Sequence, residues 1–399
     1  MTKFNRALLG GSLILLITFN LYNLINFVFQ FAMARMLTPA DYGLLATLFS
    51  FIYLSGIFSE PMMTILAKYS AGESEEKIKN LLKRSLRKAF KIASSIFLVF
   101  IFLAIPLSVL LNIPYLLLSS TGLIIFAAFF LPITRGILQG KKRFQSLGVN
   151  LVIEALIKLS LAIIFVLIGW KVYGAMTAAI LASFLAFFFS FLALRDIFKS
   201  REKQMEMPGF YSYSWPAFFM LFSILLFFSL DVIIARIVFD ATTAGYYAIA
   251  STLAKIIFLA TLPISKALFP ISAERKEDDN DSLLGSTLIL ILALISLALV
   301  AFYFFPDFII KIFAGRMIIE SGNILIYLAI AMSILSITNL LLLFKLSRGK
   351  TKNYWIFIVF PIIEAVLLSV FSHNLIEFSL ALIVASAIFL WGIIFFLEE

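Results

Sequence analysis

The chain has 399 residues, 62% hydrophobic and 14% charged, with a formal net charge of +10 and a mean hydropathy of +1.07. Soluble domains run at roughly 45–50% apolar and about 25% charged, so a water-soluble enzyme, a disordered chain and a secreted disulfide scaffold are excluded. Cysteine is absent and His373 is the single histidine. Disulfides, thiolate nucleophiles and Cys- or His-rich metal sites go with them, and neither a metal nor a cofactor is expected.

The basic residues lie in short clusters between long apolar runs. That pattern points to a membrane and not to nucleic acid. A helical span needs about 20 mostly apolar residues. Twelve such runs follow one another: 8–34, 42–67, 92–111, 115–134, 146–169, 173–194, 211–235, 245–270, 284–305, 321–344, 354–371 and 376–397. They are too long, and alternate too little, for barrel strands. The first follows Lys3 and Arg6 without a small-residue cleavage site, so it reads as an uncleaved span. With the N-terminus inside, 24 of the 32 Lys and Arg fall in inner segments and five in outer connections. The bias predicts both termini on the cytoplasmic side of the cell membrane. Every outer connection is short, which leaves no room for an extramembrane domain.

Residues 75–91, EEKIKNLLKRSLRKAFK, put Ile78, Leu81, Leu82, Ser85 and Ala89 on one helical face and Lys and Arg on the other. The expectation is an amphipathic helix lying on the anionic inner surface of the membrane. A shift of 202 residues brings Gly43 onto Gly245, Ala46 onto Ala248, Pro61 onto Pro263 and Ser70 onto Ser272. The shift spans six helices, an even number, so the halves 1–203 and 204–399 are expected as parallel six-helix repeats, a transporter architecture.

Three segments carry a family resemblance. They are ARMLTPADYGLLATLFSFIYL (34–54), RGILQGKKRF (135–144) and AGYYAIASTLAKIIFLATLPISKALFPISAE (244–274). In their order and spacing they resemble the polysaccharide-transport proteins of the multidrug/oligosaccharidyl-lipid/polysaccharide (MOP) flippase superfamily. The resemblance runs from about residue 8 to 371. It implies an all-α polytopic fold like that of MATE transporters, with two six-helix bundles around a central cavity. It also implies transfer of a lipid-linked oligosaccharide between leaflets by alternating access. The chain departs from the fourteen-helix members that flip peptidoglycan precursor, since no room remains for spans 13 and 14.

A flippase must shelter sugar and phosphate in mid-membrane, and ionisable residues inside spans are functional candidates. In span 1, Asn23, Asn26 and Gln30 share about 60° of helical arc and serve either to line a cavity or to bond neighbouring helices. In span 2, Glu60, Thr64 and Lys68 follow at four-residue spacing beside Pro61, with Glu60 a carrier of a coupling proton. Glu154 and Lys158 of span 5 stand four apart in the favourable order for an ion pair, either tying helices together or opening into the cavity. In span 8, Ser251, Lys255 and Lys266 form a stripe suited to a diphosphate. The blander alternative pairs Lys255 with Asp231 of span 7 and lets Lys266 reach the inner surface. Arg35 and Arg236 hold matching outer positions, as gate, headgroup contacts or interfacial anchors. Glu364 is deep in span 11 without a local partner and is a second proton site. The acidic run 277–281 lacks calcium-loop spacing and reads as a solvated loop, and His373 as an exposed outer-turn residue.

Together these residues describe a secondary transporter that flips a polyprenyl-linked oligosaccharide outward for surface polysaccharide or glycoprotein glycan assembly. Its expected partners are the lipid-linked oligosaccharide, membrane lipids, H+ or Na+ as coupling ion, and a glycan polymerase or oligosaccharyltransferase. The nearest rival is a multidrug or cation antiporter of the same superfamily. A membrane glycan polymerase or glycosyltransferase would need larger outer loops.

Overall fold

The computed structural model describes the backbone of residues 3–205, 215–274, 280–349 and 354–396, and their side chains except at 3–13, 60, 215–217, 269–271, 273–274 and 280–281. Among the described residues the secondary structure is helical throughout, with no strand. The order is α1 (Lys3–Met36), α2 (Pro39–Ser55), α3 (Ser59–Ser70), α4 (Glu75–Leu110), α5 (Tyr115–Thr121), α6 (Ile124–Gly140), α7 (Phe144–Leu167), α8 (Lys171–Ala193) and α9 (Arg195–Lys199). Then follow α10 (Trp215–Val238), α11 (Ala241–Glu274), α12 (Asn280–Phe304), α13 (Pro306–Ala314), α14 (Ile319–Ser347), α15 (Val359–Val370) and α16 (Leu375–Phe396). Eleven stretches are long and apolar enough to cross a membrane, and a shorter apolar one covers Tyr354–Val370. Each of the twelve apolar runs overlaps one of these twelve stretches. The chain is a multi-pass membrane protein.

Two compact units form. One holds Met1–Leu37 and Phe51–Ser212, the other Thr38–Ser50 and Tyr213–Glu399. The second run therefore begins in one unit and ends in the other. Its helix is interrupted by a 3-10 turn at Gly56–Phe58, just ahead of Pro61, whose ring cannot sit behind a regular carbonyl four residues earlier.

In the first unit, α3 and α6 cross closely. A Cβ on Gly136 would stand 2.6 Å from the Met63 carbonyl oxygen, and one on Gly140 would stand 2.3 Å from that of Ala67. The two glycines are four apart, the small-residue spacing that lets backbones touch where lipid offers no hydrophobic drive. Around this crossing the core gathers Leu66, Ile125, Phe129, Ile133, Ile137 and Leu151.

The segment 75–91 corrects one expectation. It is the first half of the continuous 36-residue helix α4, and its apolar face is covered by protein. Ile78, Leu81 and Leu82 have no solvent exposure and join the core that includes Leu194, Ile197 and Met205. The polar face is fastened to the chain after α8. Lys79 Nζ donates to the carbonyls of Phe198 (2.7 Å) and Ser200 (2.6 Å), and Arg84 to that of Met205 (3.0 Å). Lys83 pairs with Glu202. Nearby, Arg143 grips Asp196 with both guanidinium arms and holds its carboxyl below the usual carboxylate range. The helix has the amphipathic period of its sequence, but its apolar face meets protein and not lipid, because α9 and residues 200–205 lie against it.

In the second unit α11 packs on α14, α14 on α16, and α10 on α15. The start of α2 meets the start of α11 there. Tyr42, fully buried, donates to Thr252 Oγ1 at 3.1 Å. A Cβ on Gly245 would stand 2.0 Å from the Pro39 carbonyl oxygen, and one on Gly43 would stand 2.7 Å from Gly245 Cα. The two glycines matched by the 202-residue shift thus touch each other. Gly245→Ala should destabilise by about 1–3 kcal/mol through overpacking, read as a lower unfolding temperature in detergent. Gly285→Ala, inside α12 where a Cβ meets nothing within 4 Å, should hold or slightly raise that temperature, since alanine is the better helix former.

Candidate functional site

Among the described residues, each unit buries a charged cluster among its spanning helices. In the first unit the cluster is centred on Arg135 of α6, which is 9% exposed. Its Nε donates to Asn150 Oδ1 at 2.9 Å and its Nη2 to Glu154 Oε2 at 2.6 Å, both on α7. Ser183 of α8 donates to the other carboxylate oxygen at 2.9 Å, and Asn150 Nδ2 to the Ala186 carbonyl at 2.7 Å. Three helices are stitched together, and the charges of Arg135 and Glu154 cancel where water is scarce.

One turn along α7, Lys158 donates to Asn26 Oδ1 of α1, and its ammonium lies 4.8 Å from the Phe29 ring centroid. The direct Glu154–Lys158 pairing expected along the helix is corrected. Glu154 is held by Arg135 and Ser183, while Lys158 turns to α1. A planar guanidinium fixed by two partners on the facing helix offers better geometry than a flexible neighbour on the same one. The span expected over 115–134 is also corrected, since α6 continues to Gly140 and carries Arg135 within the helix. The sequence held a signal for it: the apolar Ile137 and Leu138 and the Gly136/Gly140 spacing extend the span beyond residue 134.

In the second unit the centre is Asp231 of α10, fully buried. Its Oδ1 accepts from Lys255 Nζ at 2.8 Å, and its Oδ2 from Ser251 Oγ at 2.7 Å and Tyr247 Oη at 3.2 Å. Tyr247, Ser251 and Lys255 are spaced by four on α11, so one helical face supplies all three donors. The Lys255 ammonium also sits 4.8 Å from the Phe228 ring centroid. Glu364 of α15 is fully buried, lies within electrostatic reach of Asp231 and Lys255, and has no hydrogen-bond partner for either carboxylate oxygen among the described residues. Tyr247 is a further member of the stripe, one turn before Ser251, and that four-residue spacing is its signal in the sequence.

The remaining candidates are scattered. Gln30 is bonded to Tyr53, and Asn23 is exposed. Arg35 is exposed and stacks 4.3 Å over its own helix's Phe31. Arg236 is buried near the end of α10, within reach of Asp240. Lys266 is exposed, so it and Lys255 do not share an environment. His373 is exposed and meets Glu377 at 3.1 Å. The side chain of Glu60 and residues 277–279 of the acidic run lie outside the described residues, while the run's last two residues, 280 and 281, open α12.

The family model described as "Polysaccharide biosynthesis protein" matches residues 9–276. Among curated proteins no sequence matches significantly. Among solved structures, the lipid II flippase MurJ, in an inward closed conformation, is similar at TM-score 0.73 and 16% identity, covering 97% of this chain and 88% of that one. An inward-facing multidrug-resistance MATE family transporter of the MOP superfamily is similar at TM-score 0.71 and 14% identity, covering 93% of each chain. At these identities the likeness is one of fold: the chain has the fold of the MOP superfamily.

Arg135→Met should strand the buried Glu154 carboxylate at a cost of about 3–5 kcal/mol, seen as a large fall in unfolding temperature or in folded yield. Adding Glu154→Gln should recover much of the loss, because the orphaned charge is gone. Equal damage from the single and double variants would mean that the pair is not what holds α6, α7 and α8.

Proposed function

The chain belongs to the polysaccharide biosynthesis protein family, and on that premise we propose that it carries a polyprenyl-(pyro)phosphate-linked oligosaccharide from the inner to the outer leaflet. The single observation behind this reading is the family match over most of the chain. The MOP fold shared with a lipid flippase supports it. In this reading the repeats 1–203 and 204–399 alternate access to a central cavity in the cell membrane, with both termini cytoplasmic and with H+ or Na+ driving the cycle. The oligosaccharide feeds assembly of a surface polysaccharide or glycoprotein glycan, by way of a polymerase or oligosaccharyltransferase.

The intramembrane cations favour an anionic headgroup. Lys158 with Asn26 presents a half-buried ammonium and amide in the first unit, the chemistry that a phosphate and a sugar require. Lys255 offers a second ammonium, at the cost of leaving Asp231. Asn23, Gln30, Ser251, Lys266, Arg35 and Arg236 extend the headgroup path in this proposal. Glu60, Glu154, Asp231 and Glu364 are its carboxylates for ion coupling, although Glu154 is already committed to Arg135.

A second reading, a multidrug or cation antiporter, draws on the similarity to the MATE transporter. The buried carboxylates of the second unit favour it, since acidic sites suit cationic substrates. The two readings separate in cells depleted of the protein. Flipping predicts that completed lipid-linked oligosaccharide accumulates with its glycan hidden from membrane-impermeant probes, while the total lipid extract rises. Lys158→Ala should then restore flipping only in part. Unchanged amount and sidedness in cells lacking any second flippase, with heightened sensitivity to cationic drugs, would replace the first reading with the second.

A further inference from the structure

The Asp231–Lys255 pair neutralises itself, one carboxylate against one ammonium at 2.8 Å. Glu364 does not fit that balance. It is fully buried, neither of its oxygens has a donor among the described residues, and Asp231 lies within electrostatic reach. An ionised carboxylate there would lack the hydrogen bonds that burial demands and would meet a like charge.

Something positive must complete the group. A bare metal cation is poorly served: hard cations take about six oxygen ligands, and among the described residues the cluster offers two carboxylates, one of them already paired with Lys255. The Lys255 ammonium would also repel a second full charge. A proton needs no ligand shell and removes the repulsion. We infer that Glu364 is the site of one exchangeable proton, and that Lys255 passes from Asp231 to Glu364 when the proton leaves to water admitted to the cluster. The lysine is then a built-in counter-ion shared by two carboxylates on two helices, α10 and α15. Loading the proton lets the ammonium settle on Asp231, and unloading draws α11 toward α15.

The titratable groups around Glu364 are few. Asp231 comes from α10, and Lys255 and Tyr247 from α11. The other elements packed on α15 contribute Glu377 at the exposed start of α16 and Tyr354 of the preceding 3-10 turn. As the coupling site of the transporter this inference rests on the reading above. As a proton site it is testable without transport.

The experiment is infrared difference spectroscopy of the purified full-length protein in lipid nanodiscs, stepping the pH. The expected result is a protonated-carboxyl carbonyl band in the wild type that is lost in Glu364→Gln. The same band should vanish in Asp231→Asn, because Lys255 then pairs with Glu364 and keeps it ionised. Both substitutions conserve side-chain size, and isotopic labelling of glutamate carboxyls in the wild type serves if either variant fails to fold. No band in the wild type, or one that survives Glu364→Gln, overturns the proton site. A band that survives Asp231→Asn overturns the partner exchange. A band abolished by Na+ at constant pH assigns the site to a metal cation instead. A sound band together with unchanged lipid-linked oligosaccharide sidedness would count against the flippase reading alone.

Discussion

A charge inside a membrane-spanning helix has no water to turn to, so every buried ion must find its partner within its own bundle. The interior of this molecule is arranged around that constraint. In the first unit, Arg135, Glu154, Asn150 and Ser183 answer one another across three helices. In the second, Asp231 takes all three of its donors from one face of α11. Glycines let backbones approach to contact at other crossings, at Gly136 and Gly140 against α3 and at Gly245 against Pro39, and beside the last of these Tyr42 bonds Thr252.

The spans were legible because hydrocarbon demands long apolar helices, and that demand is written residue by residue. The Asp231–Lys255 pair stood among the readings of the sequence because each residue is an isolated charge in an apolar run. What the sequence concealed was which charge meets which. Glu154 has Lys158 four residues away along its helix and Arg135 nineteen residues away in the chain, and it bonds to Arg135. A helix-surface rule ranks neighbours on one helix, whereas the fold decides what the facing helix presents. The basic helix 75–91 makes the same point. Its period was readable, but whether lipid or protein covers the apolar face depends on where α9 and residues 200–205 return, and no local pattern encodes that.

The internal repeat gains physical meaning from Gly43 and Gly245. A shift of 202 residues matches them in sequence, and the fold sets them in van der Waals contact at the meeting of α2 and α11. A side chain on Gly43 would be blocked by the Gly245 backbone, and one on Gly245 by the Pro39 carbonyl at the start of α2. Identity at both positions therefore follows from packing, independently of any role in transport.

The two clusters differ in a way that bears on mechanism. The fifth span of each half carries a buried carboxylate, Glu154 in α7 and Glu364 in α15. Glu154 is saturated by a guanidinium and a hydroxyl, so it has little to gain from a proton or from movement. Glu364 has the same chemistry and burial but no donor among the described residues, and its nearby ammonium is engaged elsewhere. A group that must exchange an ion during a cycle needs two states of comparable energy. A fully satisfied pair offers one deep state, and a carboxylate competing for a shared lysine offers two. By that criterion the first unit holds a structural pin, and the second holds the element able to switch.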